Sequence, residues 1–252
     1  VLFGLYKPEE GVIKKNGKTI KIANPNDSNK YGIGMVHQHF KLVHNFTVLE
    51  NIILGVESTK NGVLKMGEAK KRVVELSEKY HLSVNPDDLI SDITVGQQQR
   101  VEILKMLYRD NEILIFDEPT AMLTPQEIIE LMKIMRGLTK EGKSILFITH
   151  KLDEIKLVAD RCTILRKGKY IDTIDVQSTT KEVMSELMVG RKVQLQVDKE
   201  PASPTDVVLN VKNLTVKTKR SKKNKLTNVS FEAKSGEIVC IAGIDGNGQK
   251  EL

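Results

Sequence analysis

The feature that most constrains the fold is a short apolar run, Ile113 to Phe116, which is followed at once by two acidic residues, Asp117 and Glu118. Four consecutive apolar residues predict a strand that is buried on both faces, as the strands of a parallel sheet are. Ligands of open α/β sheets bind at the carboxyl ends of the strands, so the two carboxylates stand where a reacting phosphate would lie. An acidic pair can also simply close a buried strand, and the pair alone does not decide between these interpretations.

The segments on either side of this strand favour the catalytic interpretation. Before it, Ile93 to Arg100 has the sequence Ile-Thr-Val-Gly-Gln-Gln-Gln-Arg and leads into a helical pattern from Val101 to Tyr108. After it, Ser144 to Thr149 is a second apolar strand that ends at His150. Gly32 to Val36 is a further predicted strand, and Gln38 follows it.

This ordered set of segments resembles the nucleotide-binding domain of ABC-type ATPases, with its Q-loop, signature motif, Walker B strand, D-loop and switch histidine. The resemblance covers nearly the whole chain. It implies an α/β fold of the P-loop NTPase type, with a parallel-sheet core and an inserted helical subdomain at about 47–109. It also implies ATP and Mg²⁺ as ligands.

The resemblance divides the chain into two domains and a linker. Residues 1–190 correspond to a first ABC domain that lacks its Walker A segment, and residues 207–252 correspond to the start of a second ABC domain. Between them, residues 191–206 lose their periodicity and contain prolines, as a linker does. We expect the sequence to be a segment cut at both ends, because Val1 to Tyr6 looks like the end of a helix, and we expect that segment to be inactive as an ATPase by itself.

The resemblance assigns roles to the residues that occupy the family's motifs. Glu118 is expected to be the catalytic carboxylate that polarises the attacking water, and His150 to sense the γ-phosphate. Gln38 and Asp117 are expected to contact the nucleotide and to ligate Mg²⁺ through oxygen atoms.

A second set of nucleotide contacts is expected at the signature motif, Thr94-Val95-Gly96-Gln97. A hydroxyl, a glycine and unpaired N–H groups at a helix start make an anion site. In the family this site reaches the γ-phosphate bound by the opposing domain. Thr94 keeps the hydroxyl of the common Ser, whereas Val95 replaces a glycine and adds bulk. The three glutamines at 97–99 could instead be no more than a solvated helix face.

The end of the chain contains a degenerate phosphate loop. Predicted strands at 207–216, 228–233 and 236–242 lead into Gly243-Ile244-Asp245-Gly246-Asn247-Gly248. The expected phosphate contacts are Gly243, Gly246, Asn247 and Gly248. Gln249 replaces the usual lysine and Lys250 the usual Mg²⁺-binding Ser or Thr, and a lysine one residue late on a helix is rotated by about 100°. A bare glycine-rich turn is the alternative.

Other elements follow from periodicity and turn chemistry. Hairpins are predicted with turns at 16–17 and 167–169. Helices are predicted at Thr47–Leu54, Met66–His81, Gln97–Tyr108, Pro125–Leu138, Lys151–Ala159 and Thr180–Met188. Cys162 and Cys240 lie in apolar segments and are expected to be small buried core residues.

Composition limits the possible membrane and nucleic-acid roles. No run approaches the ~20 consecutive apolar residues that a membrane span needs, so any membrane role is expected to depend on a partner. The formal net charge is +6, with basic residues concentrated at Lys217 to Lys225. Such a run can contact nucleic acid or anionic lipid, or can be a solvated loop.

Tandem ABC domains with a degenerate second phosphate loop are similar to the ATP-binding subunit of bacterial importers for ribose-type sugars and nucleosides. His39 and Phe40 resemble the nucleoside (basic-membrane-protein-associated) branch, since the sugar branch tends to have Glu-Leu there. The resemblance implies ATP hydrolysis at the cytoplasmic face of the membrane, coupled to solute uptake through separate integral membrane permeases. A substrate-binding lipoprotein is an indirect partner, and the tandem domains are expected to pair with each other.

Two other functions are considered. A soluble tandem-ABC ATPase acting on ribosomes or nucleic acid usually has a long charged helical arm between its domains, whereas residues 191–206 are short and contain proline. No nucleic acid partner is therefore expected. A non-catalytic scaffold is disfavoured because Asp117, Glu118 and His150 are all present. Substrate recognition lies in the partners, so the sequence leaves the choice between nucleoside and sugar to resemblance alone.

Overall fold

The computed structural model describes residues 1–57, 59–60, 63–192, 200–217, 224–243 and 247–252. The chain forms two compact units, Val1–Val193 and Gln194–Leu252. The strands of the first unit are β1 (Ile13–Lys15), β2 (Lys18–Ile20), β3 (Ile33–Val36), β4 (Thr59–Lys60), β5 (Val63–Leu64), β6 (Ile113–Asp117), β7 (Ser144–Ile148), β8 (Arg161–Arg166) and β9 (Lys169–Asp175). Its helices are α1 (Pro25–Lys30), α2 (Val48–Ile53), α3 (Met66–Lys79), α4 (Val95–Tyr108), α5 (Pro125–Lys140), α6 (Leu152–Val158) and α7 (Lys181–Val189). The second unit contains β10 (Val207–Lys217) and β11 (Asn224–Lys234), which pair antiparallel.

A parallel sheet in the strand order β3-β6-β7 lies at the centre of the first unit. Its register places Met35 opposite Ile115, and Phe116 opposite Phe147. Leu114 and Phe116 on the middle strand β6 are completely buried. A middle strand covered on both faces has no position for a solvated side chain, which explains the unbroken apolar run. The predicted parallel-sheet α/β fold is confirmed.

A threonine precedes four of the described helices, and three of these threonines form a capping box. Thr47 before α2, Thr94 before α4 and Thr124 before α5 each accept a hydrogen bond from the backbone N–H three residues later, and the Glu or Gln at that position bonds back to the threonine N–H. Such a capping box satisfies N–H groups that a helix leaves unpaired at its start. Helices α2, α3 and α4 pack against one another within the range predicted for the helical subdomain.

The two predicted hairpins in the first unit are present. β1 and β2 pair around Asn16 and Gly17, and β8 and β9 pair around Lys167 and Gly168. These four residues have φ of 49°, 76°, 52° and 75°. Positive φ at both central residues is the requirement of a type I′ turn, which matches the twist of the flanking strands.

Two predicted elements are wrong. Val1 to Tyr6 forms turns, with the N–H of Gly4 donating to the carbonyl of Val1, and not the end of a helix. Gly236 to Ala242 contains no strand in the structure. A strand needs a neighbour for its backbone hydrogen bonds, and β10 and β11 pair only with each other among the described strands. Cys240, within this segment, is exposed and not buried as predicted.

Two sequence features fall outside what the structure describes. Most of the basic run from Lys217 to Lys225 is not described, nor are residues 193–199 of the predicted linker. Within the described ranges, no helix is both long enough and apolar enough to cross a membrane.

Candidate functional site

Three of the predicted site residues meet at the carboxyl edge of the parallel sheet. Gln38 lies beyond the end of β3, Glu118 follows β6, and His150 lies beyond the end of β7. Nε2 of Gln38 donates a hydrogen bond to Oε2 of Glu118 at 3.2 Å, and Nδ1 of His150 lies 3.1 Å from Oε1 of Glu118. The parallel strand order brings these side chains to one point, because each of them comes after the same end of its strand.

The backbone of Glu118 has a φ of 44°, in the left-handed region that residues other than glycine seldom occupy. Its N–H donates to the carbonyl of Ile148 at 2.9 Å, and its carbonyl accepts from the N–H of Ala121 at 3.3 Å. A conformation of this kind costs on the order of 1–3 kcal/mol and persists only where the surrounding structure holds it. The strained residue is also the one predicted to be catalytic, which is where backbone strain tends to cluster.

Asp117 is the last residue of β6 and lies opposite Ile148 of β7. It is partly buried. Burial lowers the pKa of His37 from its usual value, while the negative charges of Glu102 and Asp117 oppose that shift. The negative charge of Asp117 therefore acts on His37, the residue before Gln38, in the direction that raises its pKa.

The chemistry of Asp117 and Gln38 fits Mg²⁺. Mg²⁺ prefers hard oxygen ligands and is usually held by one or two carboxylates together with substrate phosphates. Asp117 offers a carboxylate, and Gln38 uses its Nε2 for Glu118, so that its amide oxygen is not consumed by that contact.

The signature residues lie at the start of α4, which begins at Val95 and not at Gln97 as predicted. Thr94 and Gln97 bond to each other: Oε1 of Gln97 accepts from the Thr94 N–H at 3.0 Å, and Oγ1 of Thr94 accepts from the Gln97 N–H at 3.3 Å. Both side chains therefore serve as the helix cap. Within the described ranges, neither is hydrogen-bonded to Glu118 or His150.

The start of α4 approaches the start of α5 closely at Gly96. A Cβ at Gly96 would collide with Oε1 of Glu127. Oε2 of the same carboxylate accepts from the N–H and the hydroxyl of Thr124, at 2.9 Å in each case, and so caps α5. No local pattern in the sequence indicates that Glu127 packs against Gly96.

Gly96→Ala is expected to lower the free energy of unfolding by roughly 0.5–2 kcal/mol, the usual value of an N-cap, because Glu127 must move away from Thr124. Gly137→Ala, in the interior of α5 with open space around it, is the matched control. At Gly137, alanine should raise the free energy of unfolding by about 0.5–1 kcal/mol, since glycine is a poor helix former. Urea unfolding of both variants followed by circular dichroism tests this pair, and equal stabilities would contradict the Gly96 contact.

The predicted phosphate loop of the second unit is described only in part. Gly246 lies outside the described residues, as do 244 and 245. A Cβ at Gly243 would lie 2.5 Å from Nε2 of Gln249, and Gly248 has a φ of 101° with the side chain of Leu226 against it. Gly248 is therefore a position that requires glycine, whereas a side chain at Gly243 would have to displace only the end of the Gln249 side chain. Asn247 is exposed.

A groove with a volume of about 310 Å³ lies beside the segment that follows β3. Its ionisable lining residues are His37 and Lys41 on that segment, Glu102 and Lys105 on α4, and Arg109 just after α4. Asn26, Asn29 and Asn111 also line it. Oε1 of the buried Glu102 accepts from the N–H of Lys41 at 2.7 Å. Burial lowers the pKa of Lys105 from its usual value. His37, which immediately precedes Gln38 in the sequence, is one of the residues that line this groove.

Sequence reasoning missed one buried residue near the site. Glu154, in the first turn of α6, is only 3% exposed. It accepts hydrogen bonds from Thr120, two residues after Glu118, and from Thr149, immediately before His150. Its only sequence signal is that it comes four residues after His150, on a predicted helix. Many exposed acidic residues occupy similar helix positions, and the pattern alone does not separate them.

Comparisons with known proteins bear on this geometry. The ABC transporter family matches residues 1–121. The whole chain is 58% identical to the nucleoside import ATP-binding protein NupA of Lactococcus lactis subsp. cremoris (strain MG1363), of which it covers 50%. It is 53% identical to the guanosine import ATP-binding protein NupO of Bacillus subtilis (strain 168), of which it covers 49%. The chain thus spans about half the length of these curated relatives.

Solved structures agree with the fold. The structure of cbiO1 from Clostridium perfringens, described as part of the ABC transporter complex cbiONQ, matches with a TM-score of 0.59 and 28% sequence identity. The match covers 75% of this chain and 73% of that one.

Proposed function

This chain belongs to the ATP-binding subunits of ABC transporters, and from that premise we propose that its protein hydrolyses ATP to drive nucleoside import through separate membrane permeases. A simple sugar is the alternative solute. The names of the two relatives at 58% and 53% identity, which are nucleoside and guanosine import proteins, support the nucleoside. The protein would act at the cytoplasmic face of the membrane, with a substrate-binding lipoprotein as an indirect partner.

The observation that carries this proposal is the Glu118 carboxylate held between Gln38 and His150. Glu118 is the general base: it takes a proton from the attacking water as the water approaches the γ-phosphate. His150, 3.1 Å from Oε1 of Glu118, is placed to donate toward the negative charge that develops on the phosphate oxygens. The hydrogen bond from Gln38 limits the rotation of the carboxylate before the nucleotide arrives.

Two further groups of residues complete the proposed nucleotide contacts. Mg²⁺, when bound with ATP, neutralises charge on the β- and γ-phosphates. Asp117 and Gln38 would hold it through their oxygen atoms. The remaining proposed contacts are backbone and cap positions in the signature and in the second phosphate loop: Thr94, Val95, Gly96, Gln97, Gly243, Gly246, Asn247 and Gly248.

The groove lined by His37, the residue before Gln38, is the proposed docking site for a permease segment. It is concave, it contains both cationic and acidic groups, and Lys105 is buried enough for its pKa to be lowered. Nζ of Lys105 donates to the carbonyl of Lys41 at 3.4 Å, within the segment that leads away from Gln38. A segment seated in this groove would therefore move with Gln38, and nucleotide binding and solute movement would be coupled.

Uptake measurements in the source bacterium test the proposed function. We expect that cells without this gene lose uptake of radiolabelled guanosine but keep uptake of radiolabelled ribose, and that a plasmid copy restores guanosine uptake. An empty plasmid is the control. Loss of ribose uptake alone would support the sugar as solute. Normal uptake of both solutes, with the protein found in ribosome fractions, would overturn the transport function in favour of the soluble ATPase.

A further inference from the structure

The proposed mechanism leaves unexplained a buried carboxylate beside the site. Glu154 is 3% exposed. The hydroxyl of Thr120 donates to its Oε1 at 2.6 Å, and the hydroxyl of Thr149 donates to its Oε2 at 3.0 Å. Nζ of Lys151 lies 3.1 Å from Oε1. A buried charge is costly unless it is paired and hydrogen-bonded, and here both oxygen atoms have partners.

Lys151 links Glu154, Thr120 and Thr149 into one hydrogen-bonded network. Its Nζ donates to the carbonyl of Thr120 at 3.2 Å and to the hydroxyl of Thr120 at 3.1 Å. Its backbone N–H donates to Oγ1 of Thr149 at 3.1 Å. Each member thus contacts at least two others, and a polar network that is satisfied in this way is rigid.

The network joins the two segments that carry the proposed catalytic pair. Thr120 lies two residues after Glu118, and Thr149 lies immediately before His150. A backbone hydrogen bond from the Glu118 N–H to the carbonyl of Ile148 also joins these segments. Glu118 also has a left-handed backbone, which needs external contacts to persist.

We propose that Glu154 is a positioning residue that, by binding Thr120 and Thr149 together, fixes the distance between Glu118 and His150. This inference rests on the proposed function of Glu118 and His150. Glu154 does not touch the nucleotide in this scheme, and it acts only through the two threonines and Lys151.

Asp153 provides a matched control on the same helix turn. It is the residue before Glu154, its side chain is 80% exposed, and it pairs with Lys181. If Glu154 only stabilised the start of α6 through the helix dipole, then Asp153 would have the same effect. The two carboxylates differ in their contacts with Thr120 and Thr149.

The first test measures steady-state ATP hydrolysis by the natural protein carrying Glu154→Ala or Asp153→Asn. We expect Glu154→Ala to lower kcat by roughly 10–100-fold with little change in KM for ATP, because a misplacement of about 1 Å can cost about 100-fold. Asp153→Asn should leave kcat unchanged. A kcat of Glu154→Ala equal to that of Asp153→Asn would overturn the inference.

The second test separates hydrogen bonding from packing and does not require Glu154→Ala to fold. Thr120→Val and Thr149→Val keep the shape and lose the hydroxyl, whereas Thr120→Ser and Thr149→Ser keep the hydroxyl and lose a methyl group. We expect the Val variants to lose kcat and the Ser variants to retain most of it. The reverse order would show that the threonines act by packing, and the inference would fall.

A third measurement does not depend on activity. The N–H groups of Glu118 and Lys151 are hydrogen-bonded in the structure, so their amide hydrogens should exchange slowly. In the 252-residue chain, Thr149→Val should speed exchange at both positions by about tenfold or more while leaving the amides of β6 unchanged. Unchanged exchange at Glu118 would count against the inference.

The ATP-hydrolysis assay also distinguishes a failure of the proposed function from a failure of the positioning role. If Glu118→Gln keeps its turnover, then the proposed function fails, and the positioning role fails with it. If Glu118→Gln is inactive but Glu154→Ala and the Val variants are as active as the unaltered protein, only the positioning role fails.

Discussion

Glu118→Gln is expected to reduce ATP hydrolysis by ~10²–10⁴-fold, the usual contribution of a general base, while ATP binding is retained. The amide has the size of the carboxylate and can still accept a hydrogen bond from Gln38 or face His150. It cannot take a proton from water. The loss should therefore appear in kcat, with the affinity for a fluorescent ATP analogue close to that of the unaltered protein.

Glu112→Gln is the control for this experiment. Glu112 immediately precedes β6, at the opposite end of the strand from Glu118, and its exposed carboxylate pairs with Lys15 at 2.6 Å. The Glu112 side chain is 67% exposed and lies at the other end of β6 from the proposed site, so both hydrolysis and binding should be unchanged in Glu112→Gln. Turnover by Glu118→Gln within about threefold of the unaltered protein would remove Glu118 from the role of base.

Phe116→Ala is expected to lower the free energy of unfolding of the first unit by about 3–5 kcal/mol. Phe116 is 0% exposed and lies on the middle strand of the parallel sheet, opposite Phe147 of β7. Truncation there removes apolar contacts on a strand that is enclosed on both sides, and the cavity has little opportunity to collapse. Since native domains are stable by only about 5–15 kcal/mol, a large fraction of the stability of this unit would be lost.

Tyr170→Ala is the matched aromatic control for the stability measurement. Tyr170 lies on β9 and is 63% exposed. Its replacement should change stability by no more than about 0.5 kcal/mol. Urea unfolding followed by circular dichroism gives both values. A loss below about 1 kcal/mol for Phe116→Ala would show that β6 is not the centre of the core.

The elements that the sequence predicted well depend on local patterns. The run from Ile113 to Phe116 is strand β6 because four apolar residues between polar ones have few other solutions. Asn16-Gly17 and Lys167-Gly168 form hairpin turns because positive φ is inexpensive for glycine and tolerable for the residue before it. These features need no knowledge of distant residues.

The prediction that failed for Gly236 to Ala242 shows the limit of local patterns. The segment has strand-like composition, yet in the structure Ile238 is 87% exposed and the segment has no strand partner within the described residues. β-propensity expresses how well a residue fits a pleated, paired surface. A segment with that composition becomes a strand only if another strand lies beside it.

The amino-acid sequence by itself determined most of the strand and helix positions, the resemblance to the family, and the placement of Gln38, Glu118 and His150 after three strands. Tertiary structure alone decided that the Glu118 carboxylate contacts both Gln38, at 3.2 Å, and His150, at 3.1 Å. It also separated two adjacent acids: the Asp153 side chain is 80% exposed, whereas Glu154 is 3% exposed. The physical reason is that burial and hydrogen bonding depend on which strands and helices pack together, and neighbours that are 32 to 80 residues apart leave no local pattern.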